Sequence, residues 1–82
     1  MSPSDSVRQY TLDHYIIPAR KSRKSSVEIR AGDIHKALRF SQRSALVCGA
    51  LGSQKFQEEC GAKSVSRRGP GVGMNTIFTF EF

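Results

Sequence analysis

The C-terminal stretch SRRGPGVGMNTIFTFEF (residues 66–82) decides the fold. Its last part alternates between phenylalanine and other residues, which is typical of a half-buried β-strand. The phenylalanines on one side of this strand are Phe78, Phe80 and Phe82. The GPG tripeptide at residues 69–71 places proline at the second and glycine at the third position of a type II turn. We therefore predict a C-terminal β-hairpin whose weaker first strand lies in AKSVSRR, residues 62–68.

Another strand and a short helix are predicted before the hairpin. In VEIR (residues 27–30), Val27 and Ile29 alternate with charged residues, which indicates a short half-buried strand. Asp33 can accept a hydrogen bond from an amide of the following turn, so it is the predicted N-cap of a second helix. Apolar residues at helical spacing extend this helix to about Phe40.

A third helix follows after only a few residues. Ser41 is its predicted cap, so the helix is expected to start near Gln42 or Arg43. An interruption is predicted next, after which Ser53 caps the run QKFQEEC. Gly61 is placed to end that run, because glycine readily adopts the left-handed conformation of a helix C-terminus.

The first helix is predicted over about residues 6–18. Ser6 followed by Gln9 fits a capping box, and apolar residues recur at helical spacing after it. Pro18 lacks the amide hydrogen that an uninterrupted helix needs, so we expect the regular part to end there. The run RKSRKSS (residues 20–26) carries charges of one sign between serines, which favours a solvated loop.

The order of elements is helix, strand, helix, helix, strand, glycine-rich loop and strand. In this order, residues 27–82 resemble a winged helix-turn-helix domain of the DNA-binding superfamily of that name. VEIR corresponds to the small first strand, DIHKAL to the supporting helix, QRSALVCGAL to the recognition helix and SRRGPGVGMN to the wing. The resemblance implies one α+β domain over residues 1–82, with three helices, a small antiparallel sheet and a C-terminal β-hairpin wing.

The resemblance also implies a mode of DNA binding by the third helix. In the family this helix enters the major groove, and its N-terminal end contacts the bases. Gln42 and Arg43 stand at that end, and their side chains suit adenine and guanine edges respectively. Ser41 and Ser44 are expected to bond to phosphates beside them.

Two further groups of basic residues are expected to contact DNA. Arg67 and Arg68 stand at the base of the glycine-rich tip, where guanidinium groups reach phosphates or a narrow minor groove. Lys21, Arg23 and Lys24 are predicted to contact phosphates without sequence preference. For both groups the alternative is a solvated turn or linker with no binding role.

Composition favours a polyanionic partner. The chain has 82 residues, and 13 Lys and Arg stand against 7 Asp and Glu, a net charge of +6. Such an excess attracts nucleic acid or an acidic surface. A chain of this size buries only about 60% of its unfolded surface, which leaves little room for an enclosed substrate pocket. We expect no enzymatic activity, no cofactor and no small-molecule substrate.

Other chemistry is disfavoured by spacing. The glycines at residues 69–73 lack the lysine and following helix of a phosphate-binding Walker motif. The potential metal ligands His14, His35, Cys48 and Cys60 lack the short spacing of zinc sites, so no metal is expected. No apolar run approaches the roughly 20 residues that span a membrane, and no secretory signal pattern is present. We expect an intracellular, cytoplasmic protein, associated with the nucleoid if prokaryotic, with two buried thiols.

The leading hypothesis is a non-catalytic protein that binds double-stranded DNA, as a small transcription regulator or architectural factor. One alternative is a winged-helix subunit with a protein partner, because Ala45, Cys48 and Gly49 suit close helix packing. A homodimer through the first helix is compatible with both. The remaining alternative is a protein that binds RNA or single-stranded nucleic acid.

Overall fold

The computed structural model describes residues 2–69 and 75–82, which form four helices and a three-stranded antiparallel sheet. The fold is therefore α+β, with one helix more than expected. The elements are α1 (residues 3–21), β1 (Ser26–Arg30), α2 (Ala31–Ala37), α3 (Ser44–Leu51), α4 (Gln54–Cys60), β2 (Ser64–Arg68) and β3 (Ile77–Glu81). The turn predicted at Pro70 and Gly71 lies outside the described residues.

Strand β3 lies at the centre of the sheet, between β1 and β2. Ile29 of β1 and Arg67 of β2 both pair with Phe78. The predicted hairpin and the predicted strand at VEIR are therefore confirmed. Phe78 and Phe80 are fully buried, whereas Phe82 lies just beyond β3 and is half-buried.

The hydrophobic core lies between one face of the sheet and the helices. Phe56 of α4 packs edge-to-face on Phe80, with 5.5 Å between the ring centroids. Val47 and Leu51 of α3 belong to the same buried cluster. Each large apolar side chain buried in this way contributes about 1.5–3 kcal/mol, so the core fixes where α3 and α4 lie on the sheet.

Helix α1 is longer than predicted at both ends. Its N-cap is Ser2, whose hydroxyl accepts a hydrogen bond from the Asp5 amide at 3.2 Å, so the predicted cap at Ser6 was wrong. Pro18 does not end the helix. A π-helical segment (Leu12–Ile16) precedes it, and Pro18 falls in the first turn of the next α-helical segment (Ile17–Lys21), where proline is tolerated.

The boundaries of α2 also differ from the prediction. The N-cap is Arg30, and Asp33 lies in the first helical turn instead of capping it. The helix ends at Ala37 rather than near Phe40, because Arg39 adopts a left-handed conformation (φ 57°). Such a residue stops the regular hydrogen bonding of an α-helix.

Helix α3 begins one or two residues later than the predicted start near Gln42 or Arg43. Gln42 has φ 54°, which is not helical, and Arg43 is the N-cap of a helix that starts at Ser44. Ser41 therefore lies in the α2–α3 linker and caps nothing. The prediction for α4 is confirmed: the Ser53 hydroxyl accepts a hydrogen bond from the Phe56 amide at 3.2 Å, and Gly61 ends the helix with φ 68°.

No helix formed by residues 2–69 and 75–82 combines the length and apolar character needed to cross a bilayer.

Candidate nucleic-acid interface

Helix α3 presents a narrow exposed stripe that is almost bare of side chains. The stripe consists of Ala45, Gly49 and Gly52, while the opposite side of the helix is buried. A Cβ added at Gly49 would meet no atom of residues 2–69 and 75–82 within 4 Å, so the described part of the molecule leaves this position open. Cys48 is fully buried and does not belong to the stripe, contrary to the expectation that it shares a face with Ala45 and Gly49.

Arg67 of β2 lies across the C-terminal end of α3. Its guanidinium stands 5.0 Å above the ring of Phe78, the residue opposite it on β3. A Cβ added at Gly52 would lie only 2.7 Å from Arg67 Nη2. The negative end of the helix dipole favours a cation at this place. The hairpin thus places one positive charge beside the exposed stripe of α3.

Arg68 points away from α3. Successive side chains of a strand face opposite sides of the sheet, so the neighbouring arginines diverge. The Arg68 side chain is 72% exposed, and its Nη2 lies 3.6 Å from Glu28 Oε2 on the outer face of the sheet. The structure therefore does not bring Arg67 and Arg68 together on one surface.

The N-terminal end of α3 is held by contacts with α2. The backbone amide of Arg43 donates a hydrogen bond to Nε2 of the buried His35 at 3.1 Å. The Arg43 guanidinium stands 5.9 Å above the ring of Phe40, and His35 meets the same ring edge-on. These contacts fix the direction in which α3 begins, and they leave the Arg43 side chain exposed.

Two neighbouring clefts lie along the α2–α3 linker, with volumes of about 460 and 490 Å³. Arg39 and Phe40 line both clefts, so the clefts adjoin at these two residues, and we refer to the pair as the groove. We call its four cationic side chains the basic track: Arg30, Lys36, Arg39 and Arg43. Asp33 also lines the first cleft and offsets one of these charges.

The basic track connects the hairpin with the start of α3. At one end, Arg30 Nη2 donates a hydrogen bond to Asn75 Oδ1 at 2.8 Å, and Asn75 lies two residues before the return strand of the hairpin. At the other end, Arg43 caps α3. Positive charge therefore continues from the hairpin along α2 to the third helix.

The residues predicted around the start of α3 lie close together, but not as a helical turn. Ser41 lines the second cleft, Gln42 is exposed in the linker, and Ser44 is the half-buried first residue of α3. Gln42 and Arg43 therefore precede the helix that was expected to carry them.

The other predicted phosphate contacts lie elsewhere. Lys21 ends α1, and Arg23 and Lys24 occupy the turn before β1, all of them exposed. This turn adjoins Ser26, whereas the track begins at Arg30, the opposite end of the same strand. The three residues line neither of the two clefts.

Three members of the basic track were missed by the sequence analysis: Arg30, Lys36 and Arg39. A signal was present, because Lys36, Arg39 and Arg43 are spaced by three and four residues. The second helix was expected to run to about Phe40, and no role was predicted for Arg30, Lys36 or Arg39.

The two thiols are not disulfide-bonded, and both are buried. Burial and, to a smaller extent, the neighbouring charge of Glu59 raise the pKa of the Cys60 thiol to about 12, against the lowering effect of Arg20. Burial also raises the pKa of Cys48, against the lowering effects of a hydrogen bond with Thr76 and the charge of Arg67. Both thiols are therefore protonated near neutral pH, which makes them poor nucleophiles.

The chain matches no protein-family model, and comparisons with curated proteins and with solved structures gave no match.

Proposed function

We propose that the protein is a non-catalytic DNA-binding protein of the winged-helix type, which grips duplex DNA with α3 and the hairpin. The proposal is supported by the order of the elements and by the sheet, in which the C-terminal strand lies between β1 and β2. In this mode α2 and α3 form the helix-turn-helix, and residues 64–81 supply the wing.

The observation that carries the proposal is the position of Arg67 beside the exposed stripe of α3. One basic side chain of the hairpin and the open side of the third helix share a surface, as simultaneous contact with one duplex requires. Arg43 adds positive charge at the other end of the same helix, which is eight residues and about 12 Å long.

The stripe suits binding that is weakly selective for sequence. Ala45 and Gly49 let the helix backbone approach DNA closely, but they offer no groups that distinguish base edges. Affinity is then dominated by phosphate contacts and falls steeply with salt. This fits an architectural factor better than a regulator that selects one operator.

Titration of a random-sequence duplex at several salt concentrations tests the proposal. If about five phosphates are contacted, log K falls against log salt with a slope of about −4 to −5. Replacing Gly49 by leucine fills the open stripe without a clash in the core, and it improves helix propensity. We expect Gly49→Leu to melt no lower than the wild type and to lose duplex binding; unchanged binding would remove α3 from the interface.

A second candidate is supported by the same stripe. Small residues allow a partner helix to pack closely, so the surface also suits a subunit of a protein assembly. Copurification of a stable partner, together with no duplex affinity at low salt, would favour this alternative. In that case Gly49→Leu would break the protein complex instead.

A further inference from the structure

We propose that the basic track binds an unpaired nucleic-acid strand at the point where it leaves a duplex. The position of that duplex rests on the proposed function, since it lies on α3 and the hairpin. The chemistry of the track itself does not depend on it.

The shape of the track favours a single strand. Its two clefts are concave and open to solvent, and they have volumes of about 460 and 490 Å³. A duplex is a convex cylinder and can touch the rims of such clefts, but it cannot enter them. The backbone of an unpaired strand can follow the groove with its nucleotides inside.

The charge of the track favours phosphodiester groups. Arg30, Lys36, Arg39 and Arg43 are all exposed, and Asp33 is the one acidic residue among the residues lining either cleft. A positive groove that follows the backbone is the common feature of proteins that bind single strands.

The groove also offers surfaces on which bases can stack. The half-buried ring of Phe40 forms part of the wall of both clefts. The planar guanidinium of Arg43 lies over one face of this ring and extends the surface on which a base can stack. Unpaired bases stack on aromatic rings and on guanidinium planes, whereas bases inside a duplex are already stacked on each other.

The backbone at Arg39 places its side chain at the wall of both clefts. Arg39 occupies the left-handed position directly after α2, where the Phe40 amide bonds to the His35 carbonyl at 3.1 Å and the Arg39 amide to the Lys36 carbonyl at 3.1 Å. Glycine is the residue best suited to this position. A large cation stands there instead and lines both clefts.

The test compares three fluorescently labelled probes at 0.15 M salt: a blunt random duplex, the same duplex with a six-nucleotide overhang, and the single strand alone. Stacking of one or two bases in the track predicts that the overhang tightens binding by about tenfold. Arg39→Gly removes the guanidinium while it keeps the backbone conformation. We expect this variant to lose the gain from the overhang and to bind the blunt duplex within about twofold of the wild type.

Arg23→Gly is the matched control. Arg23 has the same φ of 57° directly after α1, but it lines neither cleft. This variant should keep the full gain from the overhang. Phe40→Leu, which preserves an apolar side chain and removes the stacking surface, should reduce the gain.

The outcomes separate the two proposals. No gain from the overhang, or an equal loss of blunt-duplex and overhang binding in Arg39→Gly, overturns the single-strand site. The protein could instead bind the single strand and have no affinity for the duplex. If Arg39→Gly weakens that binding and Arg23→Gly does not, the single-strand site is supported and the proposed duplex function is overturned. Binding of no probe overturns both.

Discussion

The ends of α1 and α2 have the same backbone geometry and different surroundings. Each helix is followed by an arginine with φ 57°, Arg23 after α1 and Arg39 after α2. In both, the next amide bonds back to a carbonyl of the last turn, from Lys24 to Ala19 at 3.0 Å and from Phe40 to His35 at 3.1 Å. The two ends therefore terminate their helices in the same way.

The difference lies in what each end contacts. The end of α1 is docked on the protein, because the Arg20 guanidinium donates a hydrogen bond to the Cys60 carbonyl at 2.6 Å and lies over the Phe82 ring. The end of α2 borders two open clefts. One positively charged helix end thus stabilises the fold, and the other is available for a ligand.

The largest expected effect is at the docked end. Arg20→Ala removes the charged hydrogen bond to Cys60 and the contact with Phe82, which together stabilise the fold by about 2 kcal/mol. Lys36→Ala, the matched change at the open end, should alter the free energy of unfolding by less than about 0.5 kcal/mol. Urea unfolding measures both. Equal losses in the two variants would mean that the end of α2 is also structural.

The neighbouring arginines of β2 extend the comparison to the hairpin. Arg67 lies over Phe78 and beside the C-terminal end of α3, so Arg67→Ala should lower the free energy of unfolding by about 1 kcal/mol. Within the described part of the chain, the Arg68 side chain pairs with the exposed Glu28 alone, so Arg68→Ala should lower the free energy of unfolding by less than about 0.5 kcal/mol.

Arg67 and Arg68 should also differ in their contributions to duplex affinity. If the hairpin and α3 grip one duplex together, Arg67→Ala weakens binding more than Arg68→Ala does, at equal loss of formal charge. A larger loss for Arg68→Ala would place the duplex on the outer face of the sheet instead.

Smaller effects are expected when the two left-handed arginines are replaced by glycine. A residue with a Cβ is strained at positive φ, while glycine has more freedom to lose on folding. Arg39→Gly and Arg23→Gly should therefore each stabilise the fold by about 0.5–1 kcal/mol in thermal or urea unfolding. A destabilised Arg39→Gly alone would show that its side chain supports the fold, and Phe40→Leu would then decide the binding test: an unchanged gain from the overhang in that variant would overturn the single-strand site.

The strands of the sheet could be predicted from the sequence more accurately than the position of the basic residues on the surface. The alternation around Phe78 and Phe80 and the caps at Ser53 and Gly61 are local signals, and they were confirmed because core packing agrees with them. Pro18 is a strong local signal that was misleading, because the π-helical segment before it changes the hydrogen-bonding pattern.

The basic track was not predictable in the same way. Its members come from β1, α2 and the linker, and their proximity depends on where α2 ends. That end is set by the left-handed conformation of Arg39, a position where sequence rules expect glycine. The same rules suggested that Arg67 and Arg68 act as a pair, although strand alternation places them on opposite faces.

The last effect is absent at neutral pH and appears only in alkaline solution, and it concerns Cys60, the residue on which α1 is docked. Its pKa is about 12 in the folded protein against an ordinary value of 9.0, so the folded state holds the thiol proton more tightly than the unfolded state does. The stability that this contributes is complete below about pH 9 and is lost as the pH rises toward 12. The free energy of unfolding, measured at pH 7, 9 and 11, should decline less in Cys60→Ala than in the wild type. The other titrating groups are the same in both proteins, so the difference reports on the thiol. If the free energies of unfolding of the two proteins decline in parallel with pH, the thiol is accessible to water. The docked end of α1 would then be as open as the end of α2.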